Sequence, residues 1–169
     1  MNKAVFLDRD GVINRELGHY CENIDDFEIL EDVGIALKIL KDAGFLVIVI
    51  SNQGGIAKGL YTEDDVNNMH NKLCQHISVY GAAIDDFYYC PHHDSISKCL
   101  CRKPNSLLIE KAIATYGIDP SKSYMIGDGK RDIEAAEKAG IKGILIESNS
   151  GILNICKQIA SENGSAHNA

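Results

Sequence analysis

Long apolar runs, a surplus of positive charge, internal repeats, low-complexity blocks and Gly/Pro/Ser-rich linkers are all missing from this sequence. Without about twenty consecutive apolar residues there is no candidate transmembrane helix. Seventeen Lys and Arg stand against 24 Asp and Glu, a formal net charge of −7. That balance argues against nucleic acid or an anionic membrane as the main partner, since both are bound through excess cations and, for single strands, exposed aromatics. If the substrate is anionic, the charge that meets it must be gathered locally. With no repeat or linker to divide them, the 169 residues read as one domain over 1–169, a monomer, ending in a small, polar, mobile tail at 161–169. Met1 leads straight into apolar sequence without a signal-peptide pattern, so the expected compartment is the cytoplasm. Six cysteines in that compartment are thiols or metal ligands rather than disulfides.

What is present is organised around residues 3–12. The run Lys3-Ala4-Val5-Phe6-Leu7 enters Asp8-Arg9-Asp10-Gly11 directly. A short continuous apolar run suits a strand buried on both faces. If the strand continued that far, alternation would put Asp8 and Asp10 on one side, and Gly11 would let the chain turn away. Neighbouring carboxylates at a buried strand's end repel unless a cation sits between them. That suits Mg²⁺ and a carboxylate nucleophile. The competing reading is an Asx-rich turn after an edge strand.

Strand and helix signals then alternate. Strands are expected at 45–50, 86–89, 123–126 and 142–146, and helices at 33–43, behind a Thr62–Asp65 capping box to Ile77, from Ser106 to Tyr116, and at 131–139 and 152–160. His70 and Cys74 fall on an apolar helical stripe and are expected in the core. Strands separated by helices give an α/β fold, a doubly wound parallel sheet of about five strands. Ligands of such sheets bind beyond the strands' carboxyl ends. Asp8 and Asp10, Ser51 and Asn52, a Cys/His loop with Arg102 and Lys103, and Asp128 all fall at those ends. A carboxylate to attack phosphorus, Mg²⁺ to neutralise charge, and a hydroxyl and a lysine for the equatorial oxygens together support phosphoryl transfer.

The loop carries a second pattern, Cys90-Pro91-His92-His93 followed by Cys99-Leu100-Cys101. Three thiols and an imidazole close a tetrahedral Zn²⁺ site with no open position, hence a structural one. The alternative is a loop of reduced, unliganded thiols. Cys21, Cys74 and Cys156 are scattered and read as metal-free.

The order DxDG, a strand ending in Ser51-Asn52, Lys103-Pro104, and Gly127-Asp128 with Asp132 resembles the haloacid dehalogenase-like (HAD) phosphatases over most of the chain. The resemblance implies that Asp8 is the nucleophile, becoming an aspartyl phosphate, and Asp10 the general acid and then base. It implies that Ser51 and the backbone around Asn52 hold the phosphoryl group, and that Lys103 balances charge. Mg²⁺ would lie between Asp8, the carbonyl of Asp10 and Asp128, with Asp132 orienting that shell or acting merely as a first-turn helix acid. On this reading Asp8 stays ionised while Asp10 can be protonated and donate.

Cys-Pro-His with Cys-x-Cys-Arg-Lys-Pro is similar to the zinc-bearing branch of that superfamily, where Cys90, His92, Cys99 and Cys101 would be the ligands and His93 is free to face substrate. The branch includes the D-glycero-D-manno-heptose 1,7-bisphosphate 7-phosphatases, which serve nucleotide-activated heptose synthesis, and the histidinol-phosphate phosphatases. The segments 7–14, 51–59 and 88–93 are like the heptose enzymes, whereas the short gap from His92 to Cys99 is nearer the histidinol-phosphate ones. Gly129 stands where many relatives carry a larger, often basic residue, leaving Lys130 or Arg131 as substitutes. No stretch is long enough for an inserted cap domain. Specificity is therefore expected from residues 12–21, 52–60 and the zinc loop, with Arg102 and Lys58 gripping a second phosphate of a small phosphorylated sugar. Two rival classes are a non-catalytic zinc-stapled module and a nucleic-acid 3′-phosphatase, the latter disfavoured by the acidic balance and the lack of a basic or aromatic groove.

Overall fold

The computed structural model describes residues 1–164. Five strands, β1 (Ala4–Leu7), β2 (Leu46–Asn52), β3 (Asp86–Cys90), β4 (Tyr124–Gly127) and β5 (Lys142–Leu145), form one sheet in the order β3-β2-β1-β4-β5. Every pairing is parallel. The crossovers carry α1 (Val33–Asp42), α2 (Glu63–Ser78), α3 (Leu107–Tyr116) and α4 (Lys130–Lys138), and α5 (Leu153–Gly164) follows β5. Val5, Leu7, Val47 and Val49 bury against α1, α2 and α5, while Ala4, Phe6, Ile48 and Ile50 bury against α3 and α4. Both faces of β1 are covered, and its unbroken apolar run follows from that. Among the described residues no helix is long and apolar enough to cross a membrane, and no inserted cap domain interrupts the α/β units.

Strand order reverses at β1, with β2 and β3 on one side and β4 and β5 on the other. A crevice therefore opens beyond the carboxyl ends of β1 and β4, where ligands of such sheets bind. The strand that leads there is shorter than expected. Asp8 adds one ladder bond, its N–H donating to the Ile126 carbonyl at 3.0 Å. The chain then folds back, with the Ile13 and Asn14 N–H groups donating to the Arg9 carbonyl. Asp10 thus lies in a turn rather than on a strand, and alternation does not place it beside Asp8. β2 is longer than expected, carrying Ser51 and Asn52 in register with Tyr89 and Cys90.

The Thr62–Asp65 capping box forms in both directions at α2. At α3, Ser106 hydrogen-bonds Glu110 instead of capping. Helix α5 continues to Gly164, so residues 161–164 of the expected tail are helical and 165–169 lie outside the described residues.

Candidate active site

Lys103 is the centre of the site. It is 2% exposed, and its Nζ pairs with Asp8 Oδ1 at 2.9 Å and Asp132 Oδ1 at 2.6 Å while donating to the Ile50 carbonyl at 2.7 Å. A buried ammonium needs such compensation. Its backbone is held as firmly: Asn52 Oδ1 accepts the Lys103 N–H and Asn52 Nδ2 donates to the Lys103 carbonyl, at 2.9 and 3.0 Å. The Asn52 side chain is therefore spent on fixing the lysine, while the residue itself lines the cavity described below.

Carboxylate oxygens of Asp8, Asp128 and Asp132 lie within 4.8 Å of one another. Asp132 is committed, ion-paired with Lys103 through Oδ1 and accepting the Gly129 N–H through Oδ2 at 3.0 Å. Asp8 and Asp128 remain as hard oxygen donors, which suits Mg²⁺. Gly11 makes the crowding possible. It has φ of 85°, and a Cβ there would fall 2.1 Å from Asp128 Oδ2.

The Asp10 carboxyl faces a different set of partners. Arg9 Nη2, Asn14 Nδ2 and Gln53 Nε2 all donate to it at 3.0 Å. Arg9 is 1% exposed, its guanidinium lying over the Phe27 ring and against Met69 Sδ. The Gln53 amide also donates to Ser51 Oγ at 2.7 Å and accepts from the Tyr61 hydroxyl at 2.7 Å. From the protein's own charges, the expected order of acidities is reversed. Burial pushes Asp8 up to about 6, with Lys103 pulling the other way. Burial also acts to raise Asp10, but the Arg9 charge and the three donors outweigh it and hold that carboxyl below the usual range. Three positive influences bear on which acid is ionised: Arg9 beside Asp10, and Lys103 together with any divalent cation beside Asp8. The motifs point to Lys103 and the cation, but not to Arg9.

A cavity of about 320 Å³ opens above Asp8 and Asp10, walled by residues 15–21, 52–54 and 61, with Arg102 and Arg131 at its edge. These walls include two of the three loops expected to set specificity. Arg102 Nη1 donates to the His92 carbonyl at 3.1 Å and Nε sits 3.4 Å from Asp94, so the cysteine-rich loop aims it. Arg131, not Lys130, lines the cavity beside Gly129. Lys58 is exposed and lies over the Tyr20 ring, 5.0 Å from its centre. It reaches the cavity only through that ring. His93 rests against Gly54, where a Cβ would fall 2.9 Å from the imidazole, and its Nδ1 bonds Ser95. It does not line the cavity.

In the loop after β3, the Sγ atoms of Cys90, Cys99 and Cys101 and a nitrogen of His92 lie within 4.8 Å of one another. Cys90 Sγ is 3.6 Å from Cys99 Sγ and 3.2 Å from Cys101 Sγ, which is 3.3 Å from His92 Nδ1. Donors around a tetrahedral Zn²⁺ with bonds of about 2.0–2.3 Å sit about 3.3–3.8 Å apart, so the cluster fits that ion. None of the six cysteines is in a disulfide. Cys21 and Cys156 are buried away from the cluster and Cys74 half-buried, and His70 stacks on Phe87 in the core.

A family model for HAD-hydrolase-like proteins matches residues 100–154. The chain is 42% identical over 157 residues to a D-glycero-beta-D-manno-heptose-1,7-bisphosphate 7-phosphatase of Haemophilus ducreyi, covering 89% of this chain and 86% of that protein. To the D-glycero-D-manno-heptose-1,7-bisphosphate 7-phosphatase of Chlorobaculum tepidum it is 34% identical, covering 92% and 84%. The fold is similar to that of a crystal structure of the D,D-heptose 1,7-bisphosphate phosphatase of B. bronchiseptica complexed with magnesium and phosphate. There the TM-score is 0.83 at 26% identity, over 98% of each chain.

Proposed function

The chain belongs to the heptose-1,7-bisphosphate 7-phosphatase family of HAD-like hydrolases, and from that premise we propose that it removes the 7-phosphate of D-glycero-D-manno-heptose 1,7-bisphosphate through a phosphoryl group carried on Asp8. The observation that carries this reading is the buried Asp8–Lys103–Asp132 chain of ion pairs beside Asp128, whose Asp8 end lines a cavity large enough for a sugar phosphate. A non-catalytic module has no use for a buried carboxylate–ammonium cluster that costs desolvation. The names of the quoted relatives favour heptose bisphosphate over histidinol phosphate.

In this mechanism Asp8 attacks phosphorus, displacing the sugar's C7 oxygen, which takes a proton from Asp10. Water then attacks the aspartyl phosphate, losing its proton to Asp10 and freeing phosphate and the Asp8 carboxylate. Mg²⁺, held by Asp8, Asp128 and the Asp10 carbonyl, would supply charge neutralisation at the transferring oxygens. Lys103 offsets the charge on Asp8, and Ser51 donates to a phosphoryl oxygen. A phosphate dianion arriving beside Asp10 raises that group's proton affinity, the direction its work as an acid requires. Asp132 acts through Lys103 and the Gly129 N–H. Zn²⁺ on Cys90, His92, Cys99 and Cys101 staples the loop that delivers Arg102 and Lys103.

The test is phosphate release from heptose 1,7-bisphosphate, fructose 1,6-bisphosphate and histidinol phosphate, with Mg²⁺ and with EDTA. The heptose substrate is expected to have the highest kcat/KM, with activity lost in EDTA. Preference for histidinol phosphate, or no Mg²⁺-dependent release from any, would refute the proposal.

A further inference from the structure

Gln53 is a buried amide that none of the phosphoryl-transfer roles above employs. It is 1% exposed, two residues past Ser51, and its N–H donates to the Cys90 carbonyl at 2.8 Å, which pins the backbone beneath the side chain. Its amide makes three bonds, two as donor to Ser51 Oγ and Asp10 Oδ2 and one as acceptor from the Tyr61 hydroxyl. The chemistry of these partners fixes which way the amide points. An ionised Asp10 can accept but not donate. Tyr61 is 6% exposed, and burial pushes its phenol up to about 12, so it keeps its proton and donates. Turning the amide over would set Oε1 against the Asp10 carboxylate and replace a hydrogen bond with a repulsion.

The locked amide has two consequences. One lone pair of Ser51 Oγ is taken by a Gln53 N–H, and among the described residues no acceptor for the Ser51 hydroxyl hydrogen is seen. That hydrogen is left for an incoming phosphoryl oxygen, making Ser51 a donor rather than a rotor that is equally ready to accept. At the same time the other N–H holds Asp10 Oδ2 while Arg9 and Asn14 donate to Oδ1, so the acid–base carboxyl is fixed from both sides and Gln53 is its contact on the Ser51 side. Gln53 sits between the two groups that meet the two ends of the breaking bond, the phosphoryl oxygens and the leaving oxygen.

We propose that Gln53, with its amide locked by Tyr61, is a positioning residue of the phosphatase site that sets Ser51 as a hydrogen-bond donor and fixes the Asp10 carboxyl for proton transfer. The inference rests on the phosphatase reading above. Its effect must fall on the chemical step, because neither side chain has a free donor with which to bind the sugar. It must also depend on the leaving group, since only a poor leaving oxygen needs the Asp10 proton.

Gln53→Glu keeps the volume and the acceptor for Tyr61 but loses the amide donors. Tyr61→Phe keeps the donors and removes the lock. Both are assayed with Mg²⁺ on heptose 1,7-bisphosphate and on acetyl phosphate, whose leaving carboxylate needs no proton, and Gln53→Asn is included as the conservative variant. Gln53→Glu is expected to lower kcat on the sugar about a hundredfold, with KM moving less than threefold, and to lose clearly less on acetyl phosphate. Tyr61→Phe is expected to show the same split at about a tenfold loss, and Gln53→Asn to recover part of the rate. Equal fractional losses on the two substrates, a loss confined to KM, or an unchanged kcat in Tyr61→Phe would overturn the proposal. If Gln53→Glu does not fold, the Tyr61→Phe split decides alone. Wild-type enzyme on both substrates is the internal control: its inactivity would refute the phosphatase reading, whereas its activity with unsplit variants refutes only the role of Gln53.

Discussion

Arg102 is the side chain whose role most depends on the substrate carrying two phosphates. It lines the cavity next to the lysine that pairs with Asp8, and its guanidinium is aimed by the His92 carbonyl. A charge-assisted contact to a second phosphate is expected to raise KM for heptose 1,7-bisphosphate about tenfold or more in Arg102→Ala. The same variant should leave KM for a sugar monophosphate within about twofold, and equal effects on both would remove Arg102 from the second-phosphate site. The acidic residues around it were identifiable from their order along the chain, because phosphoryl transfer needs those types at strand ends. Their acidities were not. Asp10 lies low because of Arg9, an adjacent residue whose burial over Phe27 and Met69 depends on segments far along the chain. The same limit applies to the Asn52 side chain, for which motif order assigns no role and whose amide turns to a backbone 51 residues away.

At the scale of elements, loops are tied together by single side chains. Asp32 directly precedes α1 but does not cap it. Its Oδ2 accepts the N–H groups of Ile152 and Leu153, both at 2.7 Å, at the start of α5. Helix N-termini carry unpaired donors and favour a carboxylate. Asp32→Ala is therefore expected to cost about 1–2 kcal/mol, seen as a lower urea midpoint with an unchanged m-value. An unmoved midpoint would show that the cap contributes nothing. This contact spans 120 positions and leaves no periodic trace. By contrast, the Thr62–Asp65 box is four residues long and was legible for that reason. The parallel sheet was legible too, because apolar runs of strand length alternate with helical stripes. The end of β1 was not, since the turn after Leu7 is set by hydrogen bonds to the Arg9 carbonyl rather than by residue type.

At the scale of the whole molecule, burial sets how the protein responds to acid. His70 on α2 is 6% exposed and stacks on Phe87 with ring centres 4.1 Å apart. Desolvation first, and then the Arg9 charge, lower its pKa from 6.5 to about 4. The unfolded chain binds this proton more readily than the folded one. Stability therefore falls as pH drops through 6.5 and levels off below about 4, with about 2 kcal/mol lost between pH 7 and pH 5. His70→Gln is expected to lose less stability than wild type over that range in urea titrations, and parallel losses would contradict the assignment. The net charge of −7 and the buried cations and carboxylates that the described residues gather around Asp8 and Asp10 describe a protein whose chemistry is concentrated at the switch point of its sheet. Rapid acid quench during turnover of heptose 1,7-bisphosphate with Mg²⁺, followed by peptide mass analysis, tests that description most directly. One phosphoryl group should be found on Asp8, with none formed in Asp8→Asn and no phosphate released by that variant. Undiminished phosphate release by Asp8→Asn, or a phosphoryl group trapped on a different residue, would contradict it.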